Sequence, residues 1–484
     1  MAEQINNSSN YRLRVGLVGI GLETYWPQFT GLKDRLQQYL GIVERQIATS
    51  SSRDIVNLGL VDNHAKALTA AHECRHQDID LLLIHVTTYA LSATILPVIL
   101  RAGVPVLILN LQPEAAIDYA TFNRMNSRQA MTGEWLAYCS SCPVPEIANV
   151  LRRLDLSFHQ VTGQLHNDPE CWSSIDRWLI AAEVKHKLSH SRLGLMGHYY
   201  SGMLDIATDL TQLSGRFGVY TEILEVDHLS ALRRDVIPQK LADKLLAFKS
   251  FFAIDKECSQ EELSRAALTA CALDQLVAGH SLDMVAYYYM GSGIGENENT
   301  MSSVILGNSM LTAAGIPIAG EYEIKNVLAM KILQELGAGG SFSEFYAMDF
   351  NDDVVLLGHD GPGHAGIAQD KIRVRPLQVY HGKVGQGLSV EMAVRHGPVT
   401  LLSVVEDRDK GFSLLVAQGE SISGPILEIG NTNSRYRFSL GARGFVEAWN
   451  EQGPAHHCAI GIGHHADQIS KIAKLMDLGF HQVC

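Results

Sequence analysis

The chain has 484 residues, 46% hydrophobic and 19% charged, the balance of a soluble globular protein, with length for two to four domains of roughly 100–200 residues each. A formal net charge of -13 excludes the basic surface that nucleic acids need, and no apolar run approaches the roughly 20 residues that cross a bilayer. The opening "MAEQINNSSNYR" has no basic stretch leading into an apolar one, so a cytoplasmic protein without a membrane or nucleic-acid partner is expected.

"LRVGLVGIG" is a continuous apolar run, the mark of a strand buried on both faces, and "GLKDRLQQYLGIVERQI" follows with helical spacing. "DIDLLLIHV" and "VPVLILNL" are two more buried strands. Such strands separated by helices predict a parallel sheet in a three-layer α/β domain. The glycines of "GLVGIGLE" fall in the wrong order for a dinucleotide-binding turn and mark only a sharp turn after a strand. Eight cysteines are too sparse for a disulfide scaffold, and Cys139 and Cys142, in "CSSC", have no second pair with which to build a zinc site. They read as a reduced, partly buried pair.

Strand patterning lapses over residues 155–190, and a second α/β unit starts at "RLGLMGHYYSGMLDIATDL", with "DMVAYYYMG" as a further strand. From "KIRVRPLQVYHGKVGQGLSVEMAV" onward polar and apolar residues alternate between glycine-containing turns, as in an antiparallel barrel or sandwich. A closing helix, "HADQISKIAKLMDLGF", carries its apolar residues on one face. The expected fold is therefore two three-layer α/β domains with parallel sheets, residues 1–165 and 166–340, followed by a C-terminal antiparallel β-barrel-like domain, residues 341–484.

Between the second and third of these lies the chemistry. "GIPIAGEYEIKNVLAMKILQELGAGG" reads as strand, turn, helix and stop, with Ile324, Val327, Leu328, Ile332, Leu333 and Leu336 as one apolar stripe. Glu321 thus sits at the carboxyl end of a strand, where open α/β sheets bind ligands. It could equally complement the helix dipole, a task that Glu323 would perform as well. Glu344 follows two glycines in "GGSFSEFY", and His359 closes the apolar strand of "DDVVLLGHDGPGH". "GPAHHCAIGIGHHADQ" offers His456, His457, His464 and His465. Two glutamates and two histidines form a mixed oxygen and nitrogen shell of the kind that holds Mn²⁺, Mg²⁺ or Co²⁺. Spacing alone leaves a metal centre and a set of unrelated loop residues equally open.

The segments "GEYEIKNVLAMKIL", "GGSFSEFY", "VVLLGHDGPGHAGIA" and "GHHADQI" resemble, in order and approximate spacing, the metal-site segments of the L-arabinose isomerase family, more distantly related to L-fucose isomerase. The resemblance spans nearly the whole chain and is specific from about residue 305 onward. It implies a homo-trimer or homo-hexamer acting on a small sugar. The implied reaction is that of an intramolecular oxidoreductase, an aldose–ketose isomerase, with Mn²⁺ the expected ion and Mg²⁺ or Co²⁺ as alternatives. It also implies Glu321, Glu344, His359 and His465 as metal ligands, with Glu321 and Glu344 doubling as proton carriers. Tyr25, Gln129 and His464 are implied substrate contacts. His456 and His457 are a competing match for the last ligand; His465 is preferred because the helix after it aligns without a gap. Leu22 stands where the family has glutamine, Thr132 where it has histidine, and Asp360 and His364 replace a more apolar stretch. These departures put L-arabinose itself in doubt and keep two alternatives in view: another metal-dependent carbohydrate enzyme, an epimerase or lyase, and a non-catalytic sugar-binding protein.

Overall fold

The computed structural model describes residues 12–484 except 292–294, 378, 381–382 and 385–386. The stretch read for a leader, and part of the alternating stretch after Lys371, lie outside the described residues. The chain divides into two compact units, Tyr11–His186 and Lys187–Cys484.

The first unit is an open parallel sheet with helices, in the order β2-β1-β3-β4-β5. Its strands are β1 (Leu13–Ile20), β2 (Arg53–Val61), β3 (Leu81–Val86), β4 (Val106–Gln112) and β5 (Phe158–Gln164). The three inner strands are the apolar runs expected from sequence, buried almost throughout. The two edge strands, "RDIVNLGLV" and "FHQVTGQ", are partly exposed and interrupt their apolar residues with polar ones, which is why no continuous apolar run announced them.

The second unit begins with another parallel sheet, made of β6 (Arg192–Gly197), β7 (Tyr220–Leu224), β9 (Met284–Tyr288) and β10 (Ile318–Ala319). A short strand, β8 (Ala253–Ile254), instead joins β13 (Arg373–Pro376) and β16 (Leu388–Glu391) in a small separate sheet, and β14 (Val379–Tyr380) and β15 (Lys383–Val384) form a hairpin. The remaining strands are β11 (Ser341–Asp349), β12 (Val354–His359), β17 (Gly397–Asp407), β18 (Gly411–Ile422), β19 (Thr432–Phe438) and β20 (His457–Ile462). They pair antiparallel in the cycle β17-β20-β11-β12-β19-β18 and back to β17, so the sheet closes into a six-stranded barrel without free edges. A last strand, β21 (Gly479–Gln482), adds parallel to β18. The fold is the expected one: parallel α/β sheets followed by an antiparallel barrel.

The helix Ile324–Glu335 joins sheet to barrel. It touches β9 and β10 on one side and β11, β17 and β20 on the other, so every residue from Ile324 to Leu333 is buried. The expected one-sided stripe is corrected by this packing, since Lys325, Asn326 and Lys331 are buried with their apolar neighbours. Each finds partners: Lys325 Nζ donates to the carbonyls of Asp205 (2.7 Å) and Ala207 (2.9 Å), Lys331 pairs with Glu335 at 2.7 Å, and Asn326 Nδ2 donates to the Cys458 carbonyl at 3.4 Å. Apart from Asn326 Oδ1, which has no partner, the polar atoms held this way escape the penalty of unmade hydrogen bonds.

A candidate metal centre between sheet and barrel

Between β10 and the buried helix, Glu321 and Tyr322 both take left-handed backbone conformations, φ +56° and +63°. A bulky aromatic residue pays for such a conformation only when its surroundings fix it, and such outliers cluster at functional sites. Here the Tyr322 ring packs edge-on against Tyr199 at 4.9 Å, and the Tyr322 N–H donates to the Tyr287 carbonyl at 3.0 Å. The turn lifts the Glu321 carboxylate out of the sheet, while the next acid, Glu323, caps the helix, its carboxylate accepting from Lys325 N at 3.2 Å.

Three barrel strands complete the group. In the antiparallel register Glu344 of β11 lies opposite Gly358 of β12 on one side and His457 of β20 on the other. His359 ends β12, where Thr432 secures both its N–H (2.9 Å) and its carbonyl (3.0 Å). Glu344, His359 and His457 offer ligand atoms all within 4.8 Å of one another, and so do Glu321, His456 and His457. Phe342, two residues from Glu344 on the same face of β11, packs against the rings of His359 (4.3 Å) and His457 (4.5 Å) and forms the dry wall of the site.

The imidazoles are oriented from behind. His457 Nδ1–H points at Glu323 Oε2 at 3.4 Å, His359 Nδ1–H donates to the Asp360 carbonyl at 2.6 Å, and His456 Nδ1–H donates to Asp205 Oδ2 at 2.6 Å. With each Nδ1 committed, the three Nε2 atoms face Glu321: His457 at 3.2 Å and His456 at 3.7 Å from Oε2, His359 at 4.0 Å from Oε1. The His457 and Glu321 atoms are buried and not aligned for a hydrogen bond. Lone pairs converging on a carboxylate in this way repel unless a proton or cation lies among them. The electrostatics agree. Burial opposes charge on Glu321, yet His456, His457 and His359 hold its carboxyl well below the usual carboxylate range. Burial, joined by His457, pushes His359 down to about 3. His456 moves the other way: burial opposes its charge, but Glu321 and Asp205 push it up to about 9. The residues present thus fit a divalent cation with mixed O and N ligands, each histidine backed by an oxygen acceptor in the way metal-binding imidazoles are.

Of the expected ligands, Glu321, Glu344 and His359 are brought together and His465 is not. His465 lies beyond the far end of β20 from His457, roughly 16 Å along the strand by its rise per residue. It leads into the helix Ala466–Leu475, with its N–H on Thr400 Oγ1 (3.0 Å) and its Nε2 on the Ile462 carbonyl (3.0 Å). His464, expected at the substrate, donates instead to the Gly419 carbonyl at 3.1 Å. The pair His456–His457 takes the place assigned to them. His364 is likewise structural, its Nε2 on Gln334 Oε1 at 3.1 Å and its Nδ1 accepting from Gly366 N. Glu323 and Asp205, which orient His457 and His456, were not expected at all. Tyr25 and Gln129 both belong to the first unit. Tyr25 ends the short helical turn Glu23–Tyr25 after β1, and Gln129 donates to the Gln28 carbonyl in the same loop. Cys139 is buried, Cys142 exposed, and both are free thiols.

The model of the L-arabinose isomerase C-terminal domain matches residues 339–479. An L-arabinose isomerase from Nocardioides sp. is 22% identical over 383 residues, which cover 77% of this chain and 74% of that protein. Among solved structures, a solute-binding protein of an ABC transporter from Burkholderia multivorans is 11% identical, covering 64% of this chain and 97% of its own, and its TM-score of 0.19 gives it no bearing on the fold. No helix among the described residues is long and apolar enough to cross a membrane. Residues 339–479, which carry Glu344, His359, His456 and His457, are thus similar to the C-terminal domain of L-arabinose isomerases.

Proposed function

We propose that the protein is a metal-dependent aldose–ketose isomerase, with Glu321, Glu344, His359 and His457 holding the cation and His456 beside them. The observation that carries this reading is the convergence of two carboxylates and three imidazoles from four separate elements, in a chain whose residues 339–479 match the L-arabinose isomerase C-terminal domain. When bound, a divalent cation of the Mn²⁺, Mg²⁺ or Co²⁺ type polarises neighbouring sugar oxygens and stabilises negative charge developing on them. The protein's own task is to move a proton between two adjacent carbons and to keep water away while it does so.

The two glutamates divide that task by environment. Glu321 is enclosed by imidazoles that hold it ionised, which makes it a poor proton carrier and a good ligand. Glu344 has a neutral apolar neighbour, Phe342, along its own strand and stands opposite His457; it takes the proton from one carbon and returns it to the next. General acid–base catalysis of this kind contributes on the order of 10²–10⁴-fold. Tyr25 and Gln129 are proposed substrate contacts on the strength of the resemblance, and a cytoplasmic homo-oligomer, trimer or hexamer, is proposed on the same ground. The test is a panel of pentoses, hexoses and deoxy sugars with Mn²⁺ in D₂O, read by deuterium entering at C2. Exchange with at least one aldose is expected, and Glu344→Gln should abolish it even at Mn²⁺ concentrations that saturate the variant. Tight sugar binding without exchange would make this a binding protein instead.

A further inference from the structure

A second cleft, of about 310 Å³, opens in the first unit, on the strand pair β4–β5. That is near the lower limit of ligand pockets, and it lies at the carboxyl ends of parallel strands, where open α/β sheets bind ligands. The strands pair Asn110 with Thr162 and Gln112 with Gln164. Side chains alternate along a strand, so these four polar groups share one face while Leu109 and Leu111 take the other into the core. Gly163, between Thr162 and Gln164, has no room for a side chain on the other face, where a Cβ would come within 2.5 Å of Cys171 Sγ and 2.7 Å of Asp168 Oδ2.

The wall from the loop Cys139–Cys142 supplies Ser140 and Ser141. Ser141 Oγ donates to Asn110 Oδ1 at 3.2 Å, and Asn110 Nδ2 donates to Thr162 Oγ1 at 3.3 Å. Ser140 is only 2% exposed, and its hydroxyl has no hydrogen-bond partner. A buried hydroxyl in that state can take a hydrogen bond from a polar group that enters beside it. The single carboxylate, Asp168, is engaged at its helix start, accepting from Gln164 N (3.1 Å) and Cys171 N (3.0 Å). Among the described residues no lysine, arginine or histidine lines the cleft, so an anion would meet no counter-charge there.

We infer that this cleft binds a small neutral polyhydroxylated molecule, either a linear polyol or a free monosaccharide ring, at a site separate in the chain from the metal centre. Gln112 Nε2 already donates to the carbonyls of Glu114 (2.8 Å) and Ala115 (3.0 Å), but amides and hydroxyls both donate and accept, as vicinal hydroxyls do, and the unpartnered Ser140 hydroxyl adds one more such group to the wall. The probes are xylitol, a linear polyol, and methyl β-D-xylopyranoside, a closed ring unable to isomerise. Each is titrated into the full-length protein without added metal, with saturation-transfer NMR and calorimetry as readouts. One probe is expected to bind, which tells chain from ring. Ser141→Trp, at an exposed position whose new side chain fills the cleft, is expected to abolish binding. Gln164→Ala is expected to weaken it on the order of tenfold, the effect of one lost hydrogen bond. Failure of both probes to bind wild-type protein, or unchanged affinity in Ser141→Trp and Gln164→Ala, overturns the inference. So does binding of inorganic phosphate in their stead.

Discussion

At the scale of single residues, the site depends on which imidazole nitrogen carries the proton. Glu323 is completely buried and its carboxylate faces His457 Nδ1 at 3.4 Å. Replacing it with glutamine keeps the volume and removes the charge that fixes the tautomer. Mn²⁺ affinity should fall about 10–100-fold, the usual cost of losing such a backing group, and calorimetric titration measures it. His457→Ala should abolish binding in the same assay, whereas His465→Ala should leave it unchanged; the reverse pair of results would return the ligand to the other end of β20. The protonation state also sets a pH dependence. Burial opposes charge on His456 and His457, but Glu321 and Asp205 hold His456 up near 9 and Glu321 and Glu323 raise His457, so without a cation the group favours keeping a proton. A cation must displace that proton, so apparent affinity should strengthen as pH rises toward 9 and weaken below it, with protons released on binding. His359, kept neutral down to about 3, adds nothing to that slope. Calorimetry in buffers of different ionisation enthalpy at pH 6 to 9 counts the protons, and a pH-independent affinity would contradict this account.

Elements, rather than residues, decide what could be seen in the sequence. The glycine-terminated strand of β12 and the strand–turn–helix around Glu321 are local patterns, and both were legible. The partnership of Glu344 with His457 is a matter of barrel register, set by how β11 and β20 pair, and nothing within either strand records it. The last helix, a strong local signal, therefore drew the assignment to the histidines next to it. The buried helix Ile324–Glu335 misled in a similar way. Its apolar residues fit one stripe, but a sheet and a barrel cover it on opposite sides, so its lysines are internal devices rather than a solvated face. Lys325 shows what such a device does. Its ammonium holds the carbonyls of Asp205 and Ala207, and Asp205 in turn holds His456 through both the backbone N–H (2.9 Å) and the ring. Lys325→Met should preserve the packing of the stem but free that loop and leave two carbonyls unpaired. A loss of stability of roughly 1–3 kcal/mol in chemical denaturation is expected. His456 should then titrate closer to its ordinary range, which NMR of the imidazole follows directly. A His456 titration identical to wild type would separate the helix from the site.

For the whole molecule, every proposed ligand to the cation belongs to the unit Lys187–Cys484, and the three barrel strands among their sources are mutual neighbours, β20-β11-β12. A closed barrel has no edge along which to fray, so its strands open together rather than one at a time. A cation that ties β10 and the buried helix to those strands therefore acts on the least separable part of the fold. Binding to the folded state alone adds about 2.7 kcal/mol at a hundredfold excess over the dissociation constant. That increment should appear as slower amide hydrogen exchange in β11, β12, β20 and the helix Ile324–Glu335 when Mn²⁺ is added. Glu344→Gln, which removes charge from one ligand and leaves the strand pairing intact, should reduce the protection in all four elements together. Protection confined to exposed loops, with the barrel strands unmoved, would mean that the cation is held somewhere other than the mouth formed by these strands.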